Sequence, residues 1–229
     1  MNNTLKTRVD RITDITQEKM MQTLDWAYET TISGLPGQKD IYSFVNDYLE
    51  RDEPEVAINK LIAYQTTKAG ASGFITGFGG ILTMPVTIPA NISTVILFQI
   101  RMISAIAVIR GYNLESDQVR TFVYATLTGT SVTQIVKKTG IVIGNKLANG
   151  LVRKIPGTVL TRINQRVGFR LVTKFGTKGA VNLWKVIPVA GAAVGMTVDV
   201  TTTRTIAALA KKTFTYNGLD AGDGVIITN

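Results

Sequence analysis

The sequence predicts an all-α fold: a compact multi-helix domain with a Gly/Pro-interrupted apolar helical hairpin at its centre. Three observations predict it. Apolar residues recur at three- and four-residue steps through most of the chain, the spacing of one buried helix face. Residues 69–100 run for thirty-two positions without a charge, broken by Gly70, Gly73, Gly77, Gly79 and Gly80 and then by Pro85 and Pro89. Of the 229 residues 45% are hydrophobic, enough for one well-buried core. A single domain is expected over 1–216, with 217–229 a flexible tail, because NGLDAGDGVIITN lacks helical periodicity.

Leu5, Val9, Ile12, Met20, Leu24 and Ala27 place one helix over 4–32, ended by SGLPG at 33–37. In IYSFVNDYL, residues 41–49, Ile41, Phe44, Val45, Tyr48 and Leu49 fall at i, i+3, i+4, i+7 and i+8, an amphipathic helix. Asp52 as N-cap and Pro54 in the first turn open a helix to about Ala69. These acidic helices, 4–68, are expected to pack against the apolar hairpin, 69–110. Within the hairpin TMPVTIP reads as an extended crossing between a short small-residue helix and a longer one, Ala90–Ile109. A simple span needs about twenty unbroken apolar residues. Arg101 near the middle of the longer helix would be costly at a bilayer centre, so the hairpin reads as buried core before it reads as a membrane span. Gly111-Tyr112-Asn113 closes that helix, and Ser116 caps the next, Asp117–Lys138. Basic segments follow at about 141–155 and 158–175, completing a basic region over 117–180, and an apolar helix closes the domain over 186–214.

Charge is distributed as unevenly as hydropathy. Residues 1–60 hold seven Lys/Arg and eleven Asp/Glu, whereas 61–229 hold eighteen and five. No acidic residue lies between Asp117 and Asp199, an interval with twelve Lys/Arg. Solvated helices ordinarily mix signs. An unmixed run implies an anionic partner, membrane or nucleic acid, or else an acidic surface supplied by the N-terminal third folding back.

The run is most regular in RINQRVGFRLVTKFGTK, residues 162–178. Arg162, Arg166, Arg170, Lys174 and Lys178 recur every four residues, and Ile163, Val167, Leu171 and Phe175 follow them one position on. On a helix a four-residue step advances about 40° past a full turn, so the two stripes lie side by side. Basic stems flanking an apolar stripe can rest on it and lift their charges to its edge, the arrangement of a helix at an anionic phospholipid surface. Lys137, Lys138, Lys146, Arg153 and Lys154 would join the ladder in electrostatic attraction. The apolar stripe would insert shallowly or anchor the helix to the core. RVGFRLVTKF also alternates as a strand would, but no partner strand is convincing nearby and the tetrad continues on both sides, so a helix is expected. Base readout or stacking would interleave aromatics with the cations. Phe122, Tyr124, Phe169, Phe175 and Trp184 sit mostly at apolar helical positions, so no specific nucleic-acid recognition is expected.

The chain has no His and no Cys, which removes the commonest general base and metal ligand, thiol chemistry and disulfides. GFGG at 77–80 lacks the Lys-Ser/Thr of a phosphate loop, and KTGIVIGNK lacks dinucleotide spacing. Ser93 and Ser104 have no His to activate them. Asp52, Glu53 and Glu55 read as helix-start acids. No catalytic, cofactor or metal site is expected.

The apolar units resemble the EcsC family of bacterial proteins. The resemblance rests on Gly77, Gly79, Gly80, Pro85, Pro89, Arg101, Ala107, Gly111 and Tyr112, then on Ile187, Pro188, Gly191 and Gly195, and spans about Trp26 to Phe214. Thr87 stands where the family often has an acidic residue, and Asp199 where Asn is common. The resemblance implies an all-helical fold with no established catalytic activity, in a family where membrane or lipid association has been inferred for some members. It supplies no catalytic set.

The expectation is therefore a non-enzymatic peripheral membrane protein. The polar start MNNTLKTRVDRITDITQEK has no apolar signal region, which places it in the cytoplasm at the inner face of the cell membrane. The alternative is a conditional inserter: the acidic third masks the basic surface, and its release lets 69–110 enter the bilayer, as a homo-oligomer. A Ser/Asp hydrolase and a nucleic-acid binder are the remaining readings.

Overall fold

A computed structural model describes residues 15–35, 37–70, 88, 90–138, 155–175, 191–222 and 225–227. Among these the chain forms helices α1 (Gln17–Ser33), α2 (Ile41–Leu49), α3 (Pro54–Gly70), α4 (Ala90–Ile109), α5 (Asp117–Leu127), α6 (Val132–Lys138), α7 (Gly157–Phe175) and α8 (Gly191–Thr213). Strands β1 (Phe214–Thr215), β2 (Gly218–Gly222) and β3 (Val225–Ile227) follow. The all-α class holds, with one small sheet appended.

Local chemistry fixes the ends. The Thr16 hydroxyl caps α1 by accepting from Lys19 N, so the helix expected over 4–32 does not run unbroken through residue 16; residues 4–14 lie outside the described residues. Gly34, at φ 83°, ends α1 and donates its N–H to Thr30 O. Asp40 caps α2 through Tyr42 N and Ser43 N. Glu53, not Asp52, stands before α3, with its carbonyl accepting from Ala57 N, while the Asp52 carboxylate takes Lys60. The helix expected over Asp117–Lys138 is two helices. At the break Thr128 Oγ1 donates back to Ala125 O and Gly129 turns to φ 73°, local alternatives that end α5. Ser116 occupies its N-cap position without a side-chain cap bond.

Helix α4 is the hub. It packs against α1, α2, α3, α5 and α8, and Ile96, Ile100, Met102, Ile103 and Ile106 are wholly buried. One helical segment, Ile92–Ile109 of α4, is long and apolar enough to cross a membrane by length and composition, and 83% of it is buried inside the protein. Arg101 is only 8% exposed; its Nη2 donates to Lys39 O at 2.6 Å and its guanidinium lies 4.8 Å from the Phe44 ring centroid. Burial lowers its pKa, with Asp40 acting against that shift. The expensive mid-helix charge is thus carried by α2 and the turn before it, in line with the core reading. The first half of the expected hairpin, and the crossing at Pro85, lie outside the described residues.

The tail is where the sequence reading fails. Residues 217–229, expected to be loose, supply β2 and β3 of an antiparallel sheet in the order β1-β2-β3. Phe214 pairs with Leu219, and Leu219 with Ile227, and all three are buried. Three short strands carry too few residues to show a period, yet they bury apolar side chains against α6 and α8. Gly218 makes the corner at φ 133°, and a Cβ there would collide with Ile227 O. Gly218→Ala is therefore expected to cost at least about 1–3 kcal/mol and to open residues 225–227 to carboxypeptidase. An unchanged thermal midpoint would contradict this.

Candidate functional site

Helix α7 carries the ladder, and its placement assigns the two stripes. It lies at the rim of the bundle, packed on α1, α5 and α6. Ile163, Val167 and Leu171 are at most 1% exposed, and Phe175 packs half-buried against the same core. The apolar stripe packs the helix onto the core. Gly168, which weakens the helix by propensity, lets α1 approach: a Cβ there would sit 3.0 Å from Gln17 Cγ and 3.1 Å from Met21 Sδ. Gln17 Nε2 donates to Gln165 O at 3.0 Å across the same contact.

The cationic stripe faces outward. Arg162 is exposed, and Arg166, Arg170 and Lys174 are half-buried. Phe169, three residues after Arg166 and one before Arg170, shares their face and is 56% exposed. Sequence reasoning placed this ring among apolar positions. Its offset from the ladder, rather than its residue type, was the signal that would have found it. Two hollows meet at Arg166 and Phe169. One, of about 320 Å³, is lined by Thr128, Arg166, Phe169, Arg170, Thr173 and Lys174. The other, of about 430 Å³, is lined by Gln17, Arg162, Gln165, Arg166 and Phe169.

The electrostatics of this face are one-signed. The Arg166 guanidinium carbon lies 5.6 Å from the Phe169 centroid, and Lys174 Nζ lies 5.3 Å from that of Phe175. Burial pulls the Lys174 pKa below that of an ordinary lysine, and the Arg170 charge pulls it the same way. Lys174 Nζ also lies against the Gly129 turn, 3.7 Å from where a Cβ on that glycine would be. Among the described residues, no ion pair reaches Arg162, Arg166, Arg170 or Lys174.

Among the described residues, several N-terminal acids fold back, but onto other cations. Asp25 and Glu29 of α1 hold Arg120 at 2.8 and 3.3 Å, and the Tyr124 hydroxyl donates to Asp25. Glu55 of α3 holds Arg110 at 2.6 Å and Lys211 at 3.1 Å. Asp47 pairs with Lys39, and Asp52 with Lys60. The acidic third therefore shields α4 and neutralises Arg110, Arg120 and Lys211, while the α7 ladder stays uncompensated by these pairs.

The other expected contributors are only partly placed. Lys137 and Lys138 end α6, which packs on α7. Lys146, Arg153, Lys154 and Lys178 lie outside the described residues. Ser93 and Ser104 are buried in α4. Among the described residues, no three His, Cys, Asp or Glu side chains form a group that could hold a metal ion.

In comparison with known proteins, the model of the EcsC protein family matches residues 1–217, which leaves β2 and β3 beyond the match. No curated protein and no protein of solved structure matches the chain.

Proposed function

The chain belongs to the EcsC protein family, and from that premise we propose that it is a non-enzymatic protein that binds anionic membrane surfaces peripherally, at the inner face of the cell membrane, through the outer face of α7. The observation that carries the reading is the row Arg162, Arg166, Arg170 and Lys174 on one face of α7, which among the described residues has no ion pair, with the exposed Phe169 in its midst. A helix anchored by Ile163, Val167 and Leu171 presents that row rigidly, so little ordering entropy is lost on binding. Near anionic headgroups each Lys or Arg contributes about 1 kcal/mol, so four give about 4 kcal/mol, a preference on the order of 10³-fold over neutral lipid at low salt.

The test is flotation of the full chain with neutral phosphatidylcholine vesicles and with vesicles containing phosphatidylglycerol, each at low and high salt. Binding to the anionic vesicles alone, falling steeply with salt as the Debye length shrinks, is the expected result. No flotation with either would overturn the reading. Insertion of 69–110 is a second mode, and α4 is its one supporting feature. It would require stripping α4 from five helices and releasing Arg101 from Lys39. Salt-resistant flotation with protease protection of 69–110 is the result that would establish it.

A further inference from the structure

The smaller hollow on α7 is more specific than a charged surface needs to be. Its walls come from two places in the chain: the α7 face carrying Arg166, Phe169, Arg170, Thr173 and Lys174, and the turn after α5 at Thr128. The two threonines are walls and not ligands, because their hydroxyl protons are already committed. Thr128 Oγ1 donates to Ala125 O at 2.7 Å, and Thr173 Oγ1 to Phe169 O at 2.9 Å. The groups left to receive a ligand are two guanidinium forks and one ammonium. Phe169 and Phe175 hold Arg166 and Lys174 in place by their ring faces.

The ordinary explanation of such a cation is a helix end. Lys174 lies beside the carbonyl end of α5 and in the last turn of α7. Each helix end offers about half a negative charge. Together they offset about one of the three cations. Chain neighbours cannot supply the rest, since the sequence has no acidic residue between Asp117 and Asp199. Among the described residues, about two positive charges therefore converge on a concavity of about 320 Å³, within the range of about 300–1,000 Å³ typical of small-ligand pockets.

We propose that the hollow between α7 and the Thr128–Gly129 turn binds a phosphomonoester, with Arg166, Arg170 and Lys174 as its ligands. The proposal rests on the anionic-surface reading of the same face and narrows it. A phosphomonoester carries a charge of about −1.5 to −2 at neutral pH and three acceptor oxygens, which matches the surplus. A phosphodiester headgroup carries one charge and two free oxygens, and would leave about one cation unmet. The arginine forks take phosphate oxygens in pairs, whereas Lys174 acts as a point charge at the base. Phe169, at the rim, covers the carbon framework that bears the phosphate.

The shared chemistry could come from a lipid headgroup or from a soluble ester, and the experiment separates them. Vesicles of phosphatidylcholine with phosphatidic acid, a monoester, are compared with vesicles containing phosphatidylglycerol, a diester, at matched zeta potential. The full chain is expected to bind the monoester vesicles about tenfold more tightly, the effect of one additional charge-assisted hydrogen bond. Arg170→Gln and Lys174→Gln are each expected to erase that preference. Arg162→Gln, outside the hollow, is expected to weaken both bindings alike and keep the ratio. Titration with glycerol 3-phosphate in place of vesicles reports the soluble source.

Equal binding to the two vesicle types, or a preference that survives both variants with folded spectra, overturns the pocket and leaves the surface reading standing. Saturable binding of glycerol 3-phosphate that Arg170→Gln abolishes, without binding to any vesicle, supports the pocket and removes the membrane from it.

Discussion

Replacing Arg162, Arg166 and Arg170 together by glutamate is expected to abolish flotation with anionic vesicles while leaving the fold intact. Each reversal removes about 1 kcal/mol of attraction and adds comparable repulsion, so the summed effect exceeds about 100-fold. The fold should tolerate it because the three side chains stand on the outer face of α7 and make no ion pair among the described residues. Arg162 is exposed and Arg166 and Arg170 are half-buried, so each change is expected to cost less than about 1 kcal/mol. The matching control lies one residue along. Val167 is wholly buried, and Val167→Asp should unfold the protein by placing a carboxylate in the core. Vesicle flotation and a thermal melt on both variants decide the matter. If the triple variant still floats, the ladder has no part in membrane binding; if it melts like Val167→Asp, the stripe is structural after all.

The second large effect is on stability. Arg110→Met is expected to cost about 3–5 kcal/mol, chiefly because two carbonyls at the end of α8 lose their donor, at about 1–3 kcal/mol each. At about 2–4 °C per kcal/mol for a chain of this size, the midpoint should fall by roughly 6–20 °C. Arg110 sits at the end of α4 with its side chain 8% exposed. Its Nε and Nη2 reach Glu55 Oε1 at 3.0 and 2.6 Å, and its Nη1 reaches Lys211 O at 2.6 Å and Phe214 O at 2.5 Å. Those two carbonyls belong to the last turn of α8 and the residue after it, where no intrahelical donor remains. One side chain thus closes α8, holds the start of α3 and seats β1. Glu55 is 45% exposed, so Glu55→Gln should cost about 1 kcal/mol or less. Partial burial works against the Glu55 charge, but hydrogen bonds from Arg110 and Lys211 outweigh it and hold the carboxyl below its ordinary pKa. Its contribution is therefore present at neutral pH and lost as the pH falls through and below the usual carboxylate range. An Arg110→Met protein within 1 kcal/mol of the parent would refute the assignment.

What could be read in advance was whatever depends on nearest neighbours along the chain. Helix α2 is bounded by the apolar spacing of residues 41–49, and α4 by the prolines before it and Gly111-Tyr112-Asn113 after it. The ladder and its stripe were equally legible as a pattern, but which stripe faced the core was not. That depends on α1 and α5, which supply the surfaces α7 rests on. The cations that the acidic third would neutralise were likewise hidden, because Glu55–Arg110 and Asp25–Arg120 join residues more than fifty positions apart. The sheet went unread because β1, β2 and β3 are too short for alternation to show, and because Gly218 and Gly222 look like linker residues until a partner strand is in place.

The central position of α4 also bears on the order of synthesis. A twenty-residue apolar helix leaving the ribosome with nothing to cover it is a target for aggregation or for capture by an insertion apparatus. Here α1, α2 and α3, three of its five neighbours, precede it in the chain and are already outside when it emerges. Helix α5 follows within a few residues of its end. Only α8 arrives late. The acidic helices thus act first as a nascent-chain cradle, so a chain shortened from the amino end should lose soluble yield in vivo far more than one shortened after Thr213.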